Sequence, residues 1–198
     1  LISLCEGLTI PSPYGDENLP GAAESWTVSD DGKRYIFKLR KNGRWSNGDP
    51  VTAQDFVWSW QRILTASLGS QYPDMLYYLE GAQEYHTGIT NDFNEVGVKA
   101  IDNHTLEVKL KAPTPFFTGL LSHYSTWPVH KETVLKHGSI DDRNGEWTRP
   151  GNFVCNGAFN LQSWELNNLP SPVYAVSVIQ NFSGFSPSGS TTGSTGSS

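Results

Sequence analysis

An α+β fold is predicted for this chain, on three observations. Strand-period stretches occur in adjacent pairs joined by Asp/Asn/Gly turns, helical patterns fall between those pairs, and no regular strand–helix–strand series runs along the sequence. Aromatic residues make up 12% of the 198, with 7 Trp among them, so there is ample apolar area to bury in a core.

The elements can be justified in order. Pro11-Ser12-Pro13-Tyr14-Gly15-Asp16 and Leu19-Pro20-Gly21 are turn chemistry, which makes the opening stretch a helix end or strand followed by loops. Ser25-Trp26-Thr27-Val28 and Tyr35-Ile36-Phe37-Lys38-Leu39 flank Asp30-Asp31-Gly32 and read as a hairpin, Gly32 supplying the positive φ of a short loop. Tyr35, Phe37 and Leu39 then face a core while Arg34, Lys38 and Arg40 face water, with Ile36 as the exception. After the turn-rich Asn47-Gly48-Asp49-Pro50, Thr52 is a natural N-cap and Asp55 the acidic partner of a capping box. Phe56, Val57, Trp60, Ile63 and Leu64 follow at helical spacing, so this helix should lay its aromatic stripe on the sheet.

A second, more polar helix is expected from about Pro73 to Tyr85. Thr105 to Leu110 alternates strictly between polar and apolar, and Val96, Val98 and Ile101 precede it across the turn residues Asp102-Asn103. Pro113 and Pro115 end that strand. Phe116 to Tyr124 and Val129 to His137 read as short helices, Asp141 to Gly151 as loop, and Phe153-Val154 with Ala158 to Leu161 as two extended pieces around Asn156-Gly157. Pro187 to Ser198 contains only Pro, Ser, Gly and Thr and reads as a flexible tail.

The formal charge is −6, from 14 Lys+Arg against 20 Asp+Glu, and this excludes nucleic acid as an expected partner, because phosphate binding needs a basic footprint. No run approaches the ~18 apolar residues of a membrane span, and no basic n-region with an apolar h-region opens the chain. The expectation is either a cytosolic protein or one whose export signal has been removed. No nucleophile elbow, Walker loop, dinucleotide fingerprint or H-E-x-x-H motif is present, and neither enzyme activity nor a cofactor is expected.

His123, His130 and His137 recur every seven residues, but Pro128 interrupts them and metal pairs on a helix sit three or four apart, so no metal site is assigned. Asp30-Asp31 and Asp141-Asp142 lie in turn contexts where Asp caps the backbone. Trp26, Trp45, Trp58, Trp60, Trp127, Trp147 and Trp164, with Tyr72, Tyr77 and Tyr78, could line a ligand groove, although most are core by position. Cys5 and Cys155 are either two buried thiols or a disulfide joining the ends of the ordered part, the latter in an oxidising compartment.

One set of ordered blocks is more specific. Pro20-Gly21-Ala22-Ala23-Glu24-Ser25-Trp26, Asp30-Asp31-Gly32-Lys33 with Tyr35 to Arg40, and Trp45-Ser46-Asn47-Gly48-Asp49-Pro50-Val51-Thr52-Ala53-Gln54-Asp55-Phe56-Val57 with Ser59-Trp60-Gln61-Arg62 resemble the extracytoplasmic solute-binding proteins (family 5) of peptide ABC transporters, most closely the oligopeptide-binding branch. Gly97 to Asp102, Thr105 to Val108, Pro150-Gly151-Asn152 and Asn156-Gly157-Ala158-Phe159 continue the match, which covers about Ile2 to Leu166.

The resemblance implies a periplasmic-binding-protein type II subdomain of antiparallel hairpins and packed helices, located at the extracytoplasmic face of the cell envelope. Residues 9–151 would be the family's inserted peripheral subdomain, 1–8 and 152–168 stubs of the first lobe, 169–186 a C-terminal strand-like stub and 187–198 a disordered tail. The large lobe that closes on the ligand would be missing, through an internal deletion near Asn167 to Leu169. Oligopeptides and a membrane ABC permease are the implied partners of the parent family, and this chain alone is expected to bind peptide negligibly. The alternative is an interaction module that self-associates or packs on a partner through the face left by the missing lobe. Tyr72, in Ser70-Gln71-Tyr72, matches a subdomain tyrosine that approaches the peptide in relatives; it could equally be an ordinary surface tyrosine. In the family's fold Cys5 and Cys155 lie on the stretches joining the subdomain to the first lobe, which adds to the disulfide reading and leaves that of two buried thiols open.

Overall fold

In a computed structural model describing residues 4–15, 17–166 and 174–180, the turn chemistry of the opening stretch closes a small antiparallel hairpin of β1 (Thr9–Pro11) and β2 (Asn18–Pro20). The chain then enters the expected hairpin. β3 (Ala23–Val28) and β4 (Arg34–Leu39) pair antiparallel around Gly32, whose φ of +67° is the left-handed conformation that a side chain would strain. β5 (Val98–Asp102) and β6 (Thr105–Lys109) form the second hairpin, and the four strands make one antiparallel sheet in the order β3-β4-β6-β5.

The core lies on one face of this sheet. Tyr35, Phe37 and Leu39 of β4 point into it beside Leu106 and Val108 of β6, as the alternation predicts. The helix α1 (Ala53–Leu64) covers them with Phe56, Trp60 and Leu64, each fully buried. A side chain buried this way contributes about 1.5–3 kcal/mol over leaving it in water. The capping box also forms: the Asp55 carboxylate accepts the Thr52 N–H at 2.7 Å and its hydroxyl at 3.0 Å. A third donor, Trp45 Nε1 at 3.3 Å, ties the cap to the preceding loop.

The opposite face is not simply wet. Glu107 on the inner strand β6 is only 8% exposed, because Arg34 from β4 lies across it and its Nε donates to the carboxylate. Strict alternation identified the two faces of β6 but not this ion pair.

Three expected elements differ. The helix from Pro73 to Tyr85 is two pieces, a 3₁₀ turn Pro73–Leu76 and a short α2 (Ala82–His86). Between them the backbone pairs with the open end of the β5–β6 hairpin: Glu80 N–H donates to Lys109 O at 3.0 Å, and Gly97 N–H to Glu80 O at 2.8 Å. Gly81 then turns the chain at φ +65°, where a Cβ would collide with the Glu95 carbonyl. The helix expected from Phe116 to Tyr124 shrinks to α3 (Phe117–Leu120), because Ser122 Oγ, Thr126 Oγ1 and Trp127 Nε1 donate to the carbonyls that would continue it. Phe153-Val154 is not a strand; Phe153 N–H turns back onto Arg149 O at 3.0 Å.

α4 (Lys131–Lys136) lies within the span expected for it. β7 (Phe159–Leu166) pairs antiparallel with β8 (Tyr174–Gln180), from Phe159 opposite Gln180 to Leu166 opposite Tyr174. The Pro/Ser/Gly/Thr stretch at 187–198, and the point near Asn167 to Leu169 where a deletion is expected, lie outside the described residues.

Candidate ligand groove

At the C-terminal end of α1 the chain must leave a helix and turn twice within a few residues. Thr65 ends the helix, with its hydroxyl donating to Gln61 O at 2.8 Å, and Ala66–Leu68 forms one 3₁₀ turn closed by Gly69 at φ +60°. Ser70, Gln71 and Tyr72, outside any helix or strand, then lead to Pro73, whose ring disfavours helix at the residue before it. The result is an open groove of about 300 Å³. It is lined by Leu68 to Tyr72, by Tyr124 and Ser125, and by Arg62, Arg143 and Trp147.

The walls are aromatic and stiff. Tyr72 is 38% exposed and meets His123 edge-on at 5.4 Å between ring centroids and Tyr124 at 5.9 Å, with His123 and Tyr124 themselves 4.2 Å apart. His123 is held in place because its Nδ1 accepts the Ser125 N–H at 3.3 Å, capping the 3₁₀ turn Tyr124–Thr126. The Tyr72 hydroxyl beside it, and burial second, push the Tyr124 phenol above the usual tyrosine range.

Two arginines bring positive charge to the lining. Arg62 is 9% exposed, donates from Nη2 to Asp142 O at 2.9 Å, and lies 5.6 Å over the Trp147 ring. Its Nε is buried and has no acceptor among the described residues. Burial pulls its pKa below the ordinary guanidinium value, while Asp142 and Asp141 oppose that. Arg143 passes across Gly69, with Nη1 3.8 Å from where a Cβ there would sit. Stacking rings with polar rims and two arginines can hold an extended polar ligand loosely along one side.

Of the aromatics singled out in the sequence, Tyr72 and Trp147 line this groove; Trp45 and Trp60 are buried in the core and Trp26 packs against it. Tyr124, Arg62 and Arg143 were not foreseen. Arg62 carried a faint signal, as a charged residue between Trp60 and Ile63–Leu64 of an apolar stripe. The turn acids cap backbone or nearby hydroxyls: Asp31 accepts the Lys33 N–H, Asp142 the Asn144 N–H, and Asp141 the Ser67 and Ser139 hydroxyls. His130 is buried, caps α4 through Nδ1 and contacts Asp49 through Nε2 at 3.1 Å. Cys5 and Cys155 lie on segments that touch each other away from the groove.

Comparison with known proteins fits this geometry to a family. The profile described as "Bacterial extracellular solute-binding proteins, family 5 Middle" matches residues 18–169. The periplasmic oligopeptide-binding protein OppA of Escherichia coli K12 is 46% identical over 166 residues, 83% of this chain and 29% of that protein. The probable deoxycholate-binding periplasmic protein YgiS of the same organism is 39% identical over 169 residues, 84% of this chain and 30% of its own length. Among solved structures, Haemophilus influenzae OppA in complex with RPPGFSPFR superposes with a TM-score of 0.73 at 38% identity, covering 81% of this chain and 30% of that one. The chain thus spans about 29–30% of the length of these relatives. No helix among the described residues is long and apolar enough to cross a membrane. With its mixed helices and antiparallel hairpins in the fold of the oligopeptide-binding structures, this chain belongs to the bacterial extracellular solute-binding proteins of family 5.

Proposed function

We propose that this chain serves oligopeptide uptake outside the cytoplasmic membrane as the peripheral subdomain of a peptide-binding protein, offering the peptide one wall, and that it performs no catalysis. In this reading residues 9–151 are the subdomain, 1–8, 152–168 and 169–186 belong to the first lobe, and the lobe that would close over the ligand is absent, deleted near Asn167 to Leu169. The complete receptor would deliver peptide to an ABC permease. The observation that carries the reading is the groove: the exposed rings of Tyr72 and Tyr124 line it together with Arg62 and Arg143. Every peptide brings a carboxylate that the two arginines suit, and stacking surfaces accept many side chains.

A one-sided groove cannot dehydrate or enclose an extended peptide, so affinity of the chain alone should be weaker than about 1 mM. Isothermal titration with mixed di- to pentapeptides should give no saturable heat, and a micromolar Kd would defeat the one-wall reading. Amide chemical shifts at millimolar peptide should move at Tyr72, Tyr124 and Ser125. Shifts confined to other surfaces would remove the groove from the proposal.

A second reading, self-association through the uncovered face, is favoured by two exposed aromatic pairs. Tyr78 meets Phe116 edge-on at 5.5 Å, and Tyr72 meets Tyr124. Light scattering decides it: a mass that stays monomeric as concentration rises eliminates this reading.

A further inference from the structure

We propose that Cys5 and Cys155 form an intrachain disulfide that clasps the segment leading into the subdomain to the segment leading out of it. These are the chain's 2 cysteines, so no other intrachain pairing exists. They are far apart in sequence, yet their segments are held together by three hydrogen bonds. Gly157 N–H donates to Leu4 O at 2.9 Å, Glu6 N–H to Asn156 Oδ1 at 3.0 Å, and Asn156 Nδ2 to Glu6 O at 2.8 Å. Cys5 lies between Leu4 and Glu6, and Cys155 immediately precedes Asn156.

The backbones are in direct contact at this point. A Cβ on Gly157 would come within 2.6 Å of the Leu4 carbonyl carbon and 3.0 Å of Cys5 N, so only glycine permits the approach. A disulfide needs Cα atoms roughly 4.4–6.8 Å apart, and the Leu4–Gly157 and Glu6–Asn156 contacts bring the two backbones together within two residues of each cysteine. Cys155 is also anchored: its N–H donates to Ser46 Oγ at 3.2 Å, its carbonyl accepts the Ser46 N–H at 2.7 Å, and the side chain is 1% exposed.

Burial, with the Cys155 sulfur second, pushes the Cys5 thiol up to about 12, and burial raises Cys155 as well. In the folded, reduced chain these thiols are therefore poor nucleophiles. The bond forms while the neck is still open, by exchange with a small-molecule or protein disulfide. One cysteine thiolate attacks a sulfur of that oxidant and expels a thiolate; the second attacks the resulting mixed disulfide and expels the other. The two cysteines lose two electrons and two protons, and the oxidant leaves as two thiols. Once closed, the clasp joins residues bracketing nearly the whole subdomain, the arrangement in which a cross-link most restricts the unfolded chain.

The test is peptide mapping of the whole chain refolded in glutathione redox buffer and digested without reductant. A Cys5–Cys155 cross-linked peptide, with no thiol reacting after unfolding, is the expected result; two free thiols, or cross-links only between chains, would overturn the proposal. Reduction should also lower Tm by roughly 5–15 °C. Cys5→Ser and Cys155→Ser variants should show no response to reductant, and an oxidised wild type as labile as the reduced one would refute the clasp even if the bond forms.

Discussion

The sheet with α1 and the groove beside it are built from opposite kinds of structure. In the first, two hairpins and a capped helix place Phe37, Phe56, Trp60 and Leu106 at 0% exposure by regular periodicity. In the second, Arg62, Tyr72, Tyr124, Arg143 and Trp147 come from four separate stretches and are positioned by single turns, a histidine cap and one buried guanidinium. The difference teaches that stability is concentrated in the regular half, which leaves the irregular half free to expose rings and charge.

Mutations can break that comparison. The largest effect is expected at Trp60, whose Nε1 also donates to Thr126 O at 2.8 Å and so joins the two halves. Trp60→Ala should cost about 4 kcal/mol in urea denaturation, and a loss under 1 kcal/mol would mean the core is not where stability resides. Gly81→Ala should cost about 2 kcal/mol through strain at positive φ and the clash with Glu95, measured in the same way. Thr52→Ala removes a donor of the capping box and should cost about 1 kcal/mol.

Smaller still is the effect of Glu6, at the neck. Burial raises its carboxyl pKa, and Arg40 only partly opposes this. A carboxylate whose folded pKa is raised weakens the fold as pH climbs from the unfolded value through the folded one, and the cost is complete above it. Glu6→Gln should therefore raise the urea midpoint at pH 7, and the gain should vanish below about pH 4. The surface acids Asp31, Asp102 and Asp141 act oppositely. Hydrogen bonds from neighbours hold their pKa values down, so the stability they add is lost as pH falls through those lowered values. Last, Tyr72→Ala should leave stability within about 0.5 kcal/mol while abolishing peptide-induced shifts at Tyr124. A large stability loss there would make Tyr72 a structural residue and dissolve the contrast between the halves.

Legibility followed the same division. Both sheet hairpins, the turn at Gly32, the Thr52–Asp55 cap and the aromatic stripe could be read directly, because period-2 alternation, period-3.6 spacing and turn chemistry are local properties of consecutive residues. The helix drawn from Pro73 to Tyr85 failed where a non-local bond won: Glu80 pairs with Lys109 and Gly97, which no local pattern reports. Tyr72 was legible only through resemblance to a family; its partners His123 and Tyr124, and Arg143 of the same groove, were not legible, and Arg62 carried only a faint signal.

The sequence by itself determined the α+β class, the core faces and, through ordered blocks, membership of a solute-binding family. Tertiary structure alone decided which aromatics are core and which line a groove, that Arg34 shields Glu107, and that the stretches holding Cys5 and Cys155 meet. The physical reason is range: periodicity and capping act over a few residues, whereas a groove or a neck is made by segments brought together only when the core packs.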